Sequence, residues 1–462
     1  MQTTKPLIEK IRTKLGHTSF LVALVIAPTL KAQHVHPESP AATAEAKPAE
    51  ADDHHQHVHG NSDVGSPNRS TSYLLGLSSG TSLNPSSWPM PMVMQRAGDW
   101  HLMWMGQAFI VGTQQSGPRG GDQIYSANWG MLAAARNVGR GSLMLRGMIS
   151  LDPLTVTGKQ YPLLFQTGET ANGKPIVDGQ HPHDLLMELS IHYARPIGEK
   201  ALINLYYAPV GDVALGPVAF PHRASAMELP QATLGHHWQD ATHIANNVVT
   251  AGLTYGKFRI EGSGFRGKEP NENRWNIDMG PIDSWSSRLT WQPSSNWVAQ
   301  VSAGRIRRPE TVHIDDVVRA TASLHYTRPV RGTLGWSNSL IWARNYKTVG
   351  KYATSSVLAE TVVPLTRKNL FTARAEWSQR DELFEYNHDL AHEIFEKTGK
   401  RAFNVGALTV GYTREFGSIG PVRAATGFNV TAYSIASALK PYYGSTPFGA
   451  SVFLRFRVND RE

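Results

Sequence analysis

The sequence predicts an all-β fold: a transmembrane, antiparallel, up-and-down β-barrel of about 16 strands, preceded by a disordered N-terminal arm. Three observations support this prediction. Apolar and polar residues alternate in segments of about ten residues from His101 onward. Charged residues make up only 18% of the 462-residue chain. After residue 35 there is no apolar run of about 18 residues, the length of a membrane-spanning helix.

The alternation is clear in residues 318–327 (VRATASLHYT), where every second residue is apolar, and in 370–380 (LFTARAEWSQR), where Phe371, Ala373, Ala375 and Trp377 form the apolar face. Successive side chains of a strand point to opposite faces, so each segment has one apolar and one polar face. In a membrane barrel the apolar face contacts lipid and the polar face lines the lumen. The side chains predicted to face the lumen include Arg146, Glu188, His192, Arg259, Glu261, Arg288, Arg319, His325, Arg374, Glu376, Arg455 and Arg457.

Connections between the segments alternate between short and long, as expected for short periplasmic turns and long extracellular loops. Both ends of the barrel are then expected in the periplasm. Sixteen strands would enclose an aqueous lumen. The predicted strands are 101–111, 122–136, 141–152, 184–195, 201–210, 246–255, 257–266, 284–292, 296–306, 317–328, 331–346, 354–364, 369–380, 403–415, 421–434 and 448–458.

The chain divides into three predicted parts. Residues 1–32 have a basic start, an apolar run (SFLVALVIAPTL) and a small residue at the end, which is typical of a secretory signal peptide. Residues 33–98 are predicted to be a disordered, His/Met-rich periplasmic arm. Residues 99–458 are predicted to be the barrel, in the outer membrane of a Gram-negative bacterium. Its expected partners are outer-membrane lipid, the barrel-assembly machinery and a metal ion, with no nucleic acid because the chain has no basic cluster.

Histidine and methionine suggest a metal function, and the absence of cysteine excludes thiolate sites and disulfides. The run HHQHVHG contains His54, His55, His57 and His59, and imidazole binds copper, zinc and nickel. Near the start of the first strand, His101, Met103 and Met105 are predicted to face the lumen, where thioethers favour Cu(I). The alternative is that methionine fills gaps in a core.

A second histidine group lies in the predicted outer loops: His181, His183, His222, His236, His237 and His243. Because all these loops lie on one side of the barrel, the side chains are expected to converge on a metal site for copper or zinc, with no organic cofactor. The alternative is that they pair with aspartates and hold the loops folded into the lumen.

Two further functions stay open at this point. A general or solute-specific porin with structural histidines would show the same barrel. An outer-membrane hydrolase would need a nucleophile and a base, for which Ser225, His183, Asp184, His237 and Asp240 are candidates, but no spacing specifies a triad. We therefore predict a protein that is not an enzyme.

The segments GQHPHDLLMELSIHYARP (179–196), ALGPVAFPHRASAMELP (214–230), GHHWQDATHI (235–244) and FRGKEPNENRWNID (265–278) resemble a widespread family of uncharacterised bacterial outer-membrane proteins. The pieces HHQHVHG and MPMVM resemble the His/Met-rich arm of copper-resistance B-type outer-membrane proteins, which have denser Met-His repeats. The second resemblance implies copper resistance or homeostasis. The leading prediction is therefore a barrel that binds or handles a transition metal, copper first.

Overall fold

The computed structural model describes residues 67–310, 314–384 and 387–459. The described chain forms a closed antiparallel barrel of 16 strands, as predicted. Its strands are β2 (Trp100–Gln115), β3 (Asp122–Val138), β4 (Gly141–Ile149), β7 (Leu186–Ile197), β8 (Ala201–Gly211), β9 (Ala245–Tyr255), β10 (Phe258–Arg266), β11 (Ser284–Ser294), β12 (Trp297–Ile306), β13 (Val317–Arg328), β14 (Trp336–Lys347), β15 (Tyr352–Pro364), β16 (Asn369–Arg380), β17 (Phe403–Ile419), β18 (Val422–Ile435) and β19 (Phe448–Val458).

The remaining strands and helices are not part of this ring. A short strand, β1 (Val93–Ala97), pairs with the start of β2, and β5 (Tyr161–Ala171) pairs with β6 (Lys174–Gln180) as a separate hairpin. The helices are short: α1 (Arg69–Leu75), α2 (Asp152–Thr155), α3 (His236–Gln239), α4 (His388–Thr398) and α5 (Lys440–Tyr443). Among the described residues, no helix is long and apolar enough to cross a membrane.

Each barrel strand pairs with the next one along the chain, and β4 pairs with β7 across the β5–β6 hairpin. The ring closes between β19 and β2, where Arg457 lies opposite Gln107 and Gly449 opposite Gln115. Closure leaves no open sheet edge between these two strands, which the hydrocarbon core of a bilayer would not tolerate.

The two faces of the wall differ as the alternation predicts. Outward side chains are apolar and exposed, for example Leu205, Ile260 and Leu340. Tryptophans at strand ends, such as Trp285 and Trp297, are also exposed on the outside. Side chains predicted to face the lumen are buried inside the barrel, apart from Glu376, which is partly buried.

The connections alternate in length as predicted. At one end, which we call the turn end, they are short, as at 139–140, 256–257 and 420–421. In the two-residue turn between β9 and β10, Gly256 has a φ of 57°, a left-handed conformation that glycine adopts without steric cost. At the other end, the loop end, lie the connections 150–185, which we call the hairpin loop, and 212–244, the long loop.

The prediction of a disordered segment up to residue 98 is wrong for residues 67–98. Residues 67–92, which we call the N-terminal segment, include α1 and many buried side chains. Its buried residues are polar as well as apolar and find partners on the barrel wall, so low hydrophobicity did not prevent folding. The predicted signal peptide and residues 33–66 of the arm lie outside the described residues.

Candidate functional site

The lumen of the barrel is filled rather than open. A barrel of sixteen or more strands has room for an aqueous channel, yet the lumen-facing Arg146, Arg288 and Arg455 are only 1%, 2% and 0% exposed. Their burial follows from segments that pack inside the wall: the N-terminal segment and the long loop. These two segments are therefore the first features to examine for function.

The N-terminal segment enters from the turn end, where α1 packs against β4. Asn68 caps this helix by accepting a hydrogen bond from the Thr71 amide at 2.9 Å. The Ser70 hydroxyl lies 2.7 Å from the Ser142 hydroxyl of β4. Further along, Leu74 and Leu77 are fully buried in an apolar cluster. Both apolar packing and polar contacts thus fix the segment to the wall.

Three wall arginines hold the tip of this segment, residues 78–82. Arg146 donates to the Ser78 carbonyl at 2.7 Å, Arg259 to the Thr81 carbonyl at 2.6 Å, and Arg288 to the Thr81 hydroxyl at 2.9 Å. On the wall, Glu188 pairs with Arg146 at 2.8 Å and Glu261 with Arg288 at 3.0 Å. These charged groups remain hydrogen-bonded although they are buried, as buried ions require.

The tip then meets the long loop. The Ser79 hydroxyl donates to Asp212 at 2.8 Å. The Asn84 side chain donates to the His222 carbonyl at 2.9 Å and accepts from the Ala224 amide at 3.0 Å. Burial raises the pKa of Asp212 to about 8, although the nearby Arg288 acts to lower it. Two segments from opposite ends of the barrel therefore meet inside it.

The long loop is bound to the wall by buried ion pairs. Arg223 pairs with Glu360 of β15 at 2.6 Å and with Asp240 of the same loop at 3.0 Å. Glu228 pairs with Arg457 of β19 at 2.6 Å and also with Arg455. The loop is thus held on two sides of the lumen by charge-assisted hydrogen bonds.

Little space is left between the long loop and the wall strands β16 to β19. A cavity of about 30 Å³ lies there, lined by residues that include Gln231, Glu376 and Asn429. That volume accommodates water but no larger solute. The long loop and the wall strands are closely packed at this level of the barrel.

Five of the six predicted loop histidines come together near the loop end. His181 and His183 belong to the hairpin loop, and His236, His237 and His243 to the long loop. Ring centroids are 5.2 Å apart for His236 and His237, 5.9 Å for His181 and His237, and 5.6 Å for His183 and His243. We call these five residues the histidine cluster.

The sixth loop histidine, His222, takes a different place. Its ring packs against Trp129 of β3, with centroids 4.3 Å apart. The sequence could not separate it from the other five, because all six lie in loops on the same side of the barrel.

Acidic side chains orient part of the cluster. Asp240 lies 2.7 Å from His236 Nδ1, Glu169 lies 3.2 Å from His181 Nε2, and Asp152 lies 2.9 Å from His183 Nδ1. Burial lowers the pKa of His181, His236 and His243, which favours the neutral imidazole that binds metals.

The predicted copper residues of β2 lie elsewhere. Met103 and Met105 face inward as predicted, but they pack in the apolar cluster around Leu74 and Leu77. His101 is partly buried at the start of β2. His54, His55, His57 and His59 lie outside the described residues. The structure therefore leaves the copper relay a prediction.

No family model and no curated protein matches this chain. Among solved structures, it is similar to the anion-selective porin from Comamonas acidovorans, with 11% identity and a TM-score of 0.45 over 78% of this chain and 99% of that one. It is also similar to OmpF of Salmonella typhi in complex with daunomycin, with 10% identity and a TM-score of 0.47 over 79% of this chain and 100% of that one. A third similar structure is the outer membrane channel DcaP of Acinetobacter baumannii, with 8% identity and a TM-score of 0.44 over 79% of this chain and 99% of that one. At these identities and scores, the likeness carries no inference about solute or selectivity.

The residues suggested for a hydrolase do not form a nucleophile–base pair in the described structure. The Ser225 hydroxyl donates to Glu360 at 2.8 Å and contacts the Ser339 hydroxyl at 2.6 Å. His183 pairs with Asp152, as described above. Ser225 therefore contributes to anchoring the long loop.

Sequence reasoning missed the polar residues of the N-terminal segment, 78–84, that are buried in the lumen. The usable signal was the small polar run Ser78–Ser79–Gly80–Thr81–Ser82 directly after the apolar stretch 73–77. Hydroxyl and backbone groups of such a run can satisfy wall arginines inside a polar lumen, where an apolar plug would leave them unpaired.

Proposed function

We propose that this protein is an outer-membrane channel of the porin type, closed from within by the N-terminal segment and the long loop. The observation that carries the proposal is the polar, arginine-rich wall of a wide barrel covered by segments that are not part of the barrel. An outward apolar face with tryptophan at strand ends supports the membrane placement, with the turn end in the periplasm.

A polar wall supports a channel because it is suited to water. Pairs such as Arg146 and Glu188 gain little over an apolar lining when they are dry, since burying ions is costly. In an open state, the same pairs would be solvated and would contact passing ions. Displacing the two segments exchanges protein contacts for water contacts at these groups.

Planar-bilayer recordings of the purified full-length chain test the proposal. The chain has no cysteine, so each introduced pair is the sole disulfide. The hydroxyl separations of 2.7 Å for Ser70 and Ser142 and 2.6 Å for Ser225 and Ser339 are suitable for serine-to-cysteine pairs. S70C/S142C locks the N-terminal segment, and S225C/S339C locks the long loop.

We expect wild type to switch between closed and conducting states, and oxidised S70C/S142C to lose most openings until a reductant is added. The oxidised S225C/S339C pair shows whether the long loop must also move. Single-cysteine variants are the controls and should behave as wild type under both conditions. Absence of ion current from wild type and from both reduced pairs at all voltages would overturn the channel proposal.

A further inference from the structure

Within the histidine cluster, three imidazoles meet in a metal-binding arrangement. His181, His236 and His237 each offer one ring nitrogen, and these three atoms lie within 4.8 Å of one another. Two of the residues are adjacent on α3, and the third comes from the hairpin loop. An ion bound here would therefore join two separate loops of the loop end.

His237 gives an independent indication of a ligand. Its side chain is 6% exposed, yet neither ring nitrogen has a hydrogen-bond partner. A buried polar group without a hydrogen-bond partner destabilises the fold unless a ligand satisfies it. Gly168 packs directly on this ring, and a Cβ at that position would lie 2.4 Å from it, so the backbone approaches the ring as closely as glycine allows.

The other two histidines are oriented by neighbours that leave one nitrogen available. Asp240 engages His236 at Nδ1, 2.7 Å away. The Pro182 carbonyl engages His181 at Nδ1, 3.0 Å away. In His236, Nε2 is then the nitrogen left for a metal. In His181, Nε2 lies 3.2 Å from Glu169 Oε1, so a bound ion would replace this ion pair. Contacts of this kind fix the tautomer of metal-binding histidines.

Carboxylates next to His237 supply negative charge. Glu269 Oε1 lies 3.8 Å from His237 Nδ1. His237, Glu269 and Glu310 also offer ligand atoms within 4.8 Å of one another. The two groups share His237, so these carboxylates supply negative charge beside the three imidazoles. Imidazole with carboxylate suits zinc and divalent copper better than Cu(I), which prefers sulfur.

We infer that His181, His236 and His237 bind one divalent transition-metal ion of the Zn²⁺ or Cu²⁺ class. The inference does not depend on the channel proposal, because it concerns binding and not ion flow. The ion would clamp the hairpin loop to the long loop.

The test uses the full-length chain in detergent with His54, His55, His57 and His59 changed to alanine, because this run can bind metal by itself. Zn²⁺ is titrated in competition with a chromophoric chelator, and Co²⁺ absorption reports the ligand geometry. We expect one Zn²⁺ per chain, and a loss of affinity of about tenfold or more in His237→Gln and in His236→Asn.

His222→Gln is the matched control, because His222 is a buried histidine of the same long loop that packs on Trp129. It should keep the affinity of the parent chain. Strand content measured by circular dichroism confirms that each variant folds. Absence of Zn²⁺ and Cu²⁺ binding by the folded parent chain, or unchanged affinity in both His237→Gln and His236→Asn, would overturn the inference. Either result leaves the conductance experiments unaffected.

Discussion

Asp212 accepts a 2.8 Å hydrogen bond from the Ser79 hydroxyl at the place where the N-terminal segment meets the long loop. Burial raises the pKa of this carboxyl from 3.8 to about 8. A raised pKa in the folded state means that the protonated form stabilises the fold. This contribution is fully present below about pH 4 and is lost as the pH rises through about 8.

We therefore expect the denaturant concentration at the midpoint of unfolding to decrease as the pH is raised from 5 to 9. Asp212→Asn should make this pH dependence flatter. Asparagine has no charge to lose and keeps an acceptor for Ser79. Denaturant titrations of both proteins at several pH values measure the effect. Identical pH dependence in the two proteins would contradict the role given to Asp212.

Leu74 anchors the N-terminal segment through apolar packing, since its side chain is fully buried. Leu74→Ala leaves a cavity in that cluster and should weaken the docking of the segment by about 2–5 kcal/mol. We expect faster proteolysis within residues 67–92 and more frequent channel openings. Ser72→Ala, on the exposed side of the same helix, should leave both unchanged.

Glu360 is the buried partner of two arginines, Arg223 at 2.6 Å and Arg374 at 2.9 Å. Glu360→Gln removes the carboxylate that pairs with Arg374 and leaves Arg223 with Asp240 alone, which should cost about 3–5 kcal/mol in the free energy of unfolding. Equilibrium denaturation measures this change. As a control, Glu393→Gln breaks an exposed pair with Lys397 on α4, and the midpoint should stay close to wild type.

The wall around the tip of the N-terminal segment carries Arg146, Arg259 and Arg288 against Glu188 and Glu261. When the segment leaves, this excess of positive charge should make the channel select anions over cations. Arg288→Gln should then shift the reversal potential in a KCl gradient toward cations. Arg344→Gln, on the exposed outer face of β14, removes the same charge and should leave the reversal potential unchanged. A cation-selective wild type would refute this prediction.

Met103 tests the predicted copper relay of β2. Its side chain is fully buried among apolar neighbours, so it acts as packing in the described conformation. Met103→Leu conserves volume and should change the free energy of unfolding by less than about 1.5 kcal/mol. We expect copper titrations to give the same stoichiometry as wild type. If Met103→Leu bound one copper ion fewer than wild type, the predicted copper relay of His101, Met103 and Met105 would be supported instead.

The barrel could be predicted from sequence because two strong physical constraints act on every strand. Alternation assigned Arg319 and His325 of β13 to the inside and Leu324 to the outside, and turn chemistry separated the strands. The N-terminal segment obeys neither constraint. Ser79, Thr81 and Asn84 resemble a solvated arm. Only their partners in the folded chain, which are wall arginines for Thr81 and the long loop for Ser79 and Asn84, reveal that they belong inside.

The histidine cluster could be named from the sequence but not assembled from it. His181 and His237 are brought together by two loops whose paths depend on long-range contacts, such as Arg223 with Glu360. Nothing in the local sequence distinguishes His222, which the Trp129 ring holds apart from the cluster.

Asn84 binds backbone groups of His222 and Ala224 and so joins a segment from one mouth of the barrel to a loop from the other. If the N-terminal segment or the long loop withdraws, buried polar groups on the other one lose their hydrogen-bond partners. Each such group costs about 1–3 kcal/mol. The two mouths are therefore thermodynamically coupled, and such coupling is reciprocal. A ligand that draws the long loop away from Asn84 should therefore loosen the N-terminal segment at the opposite mouth of the barrel.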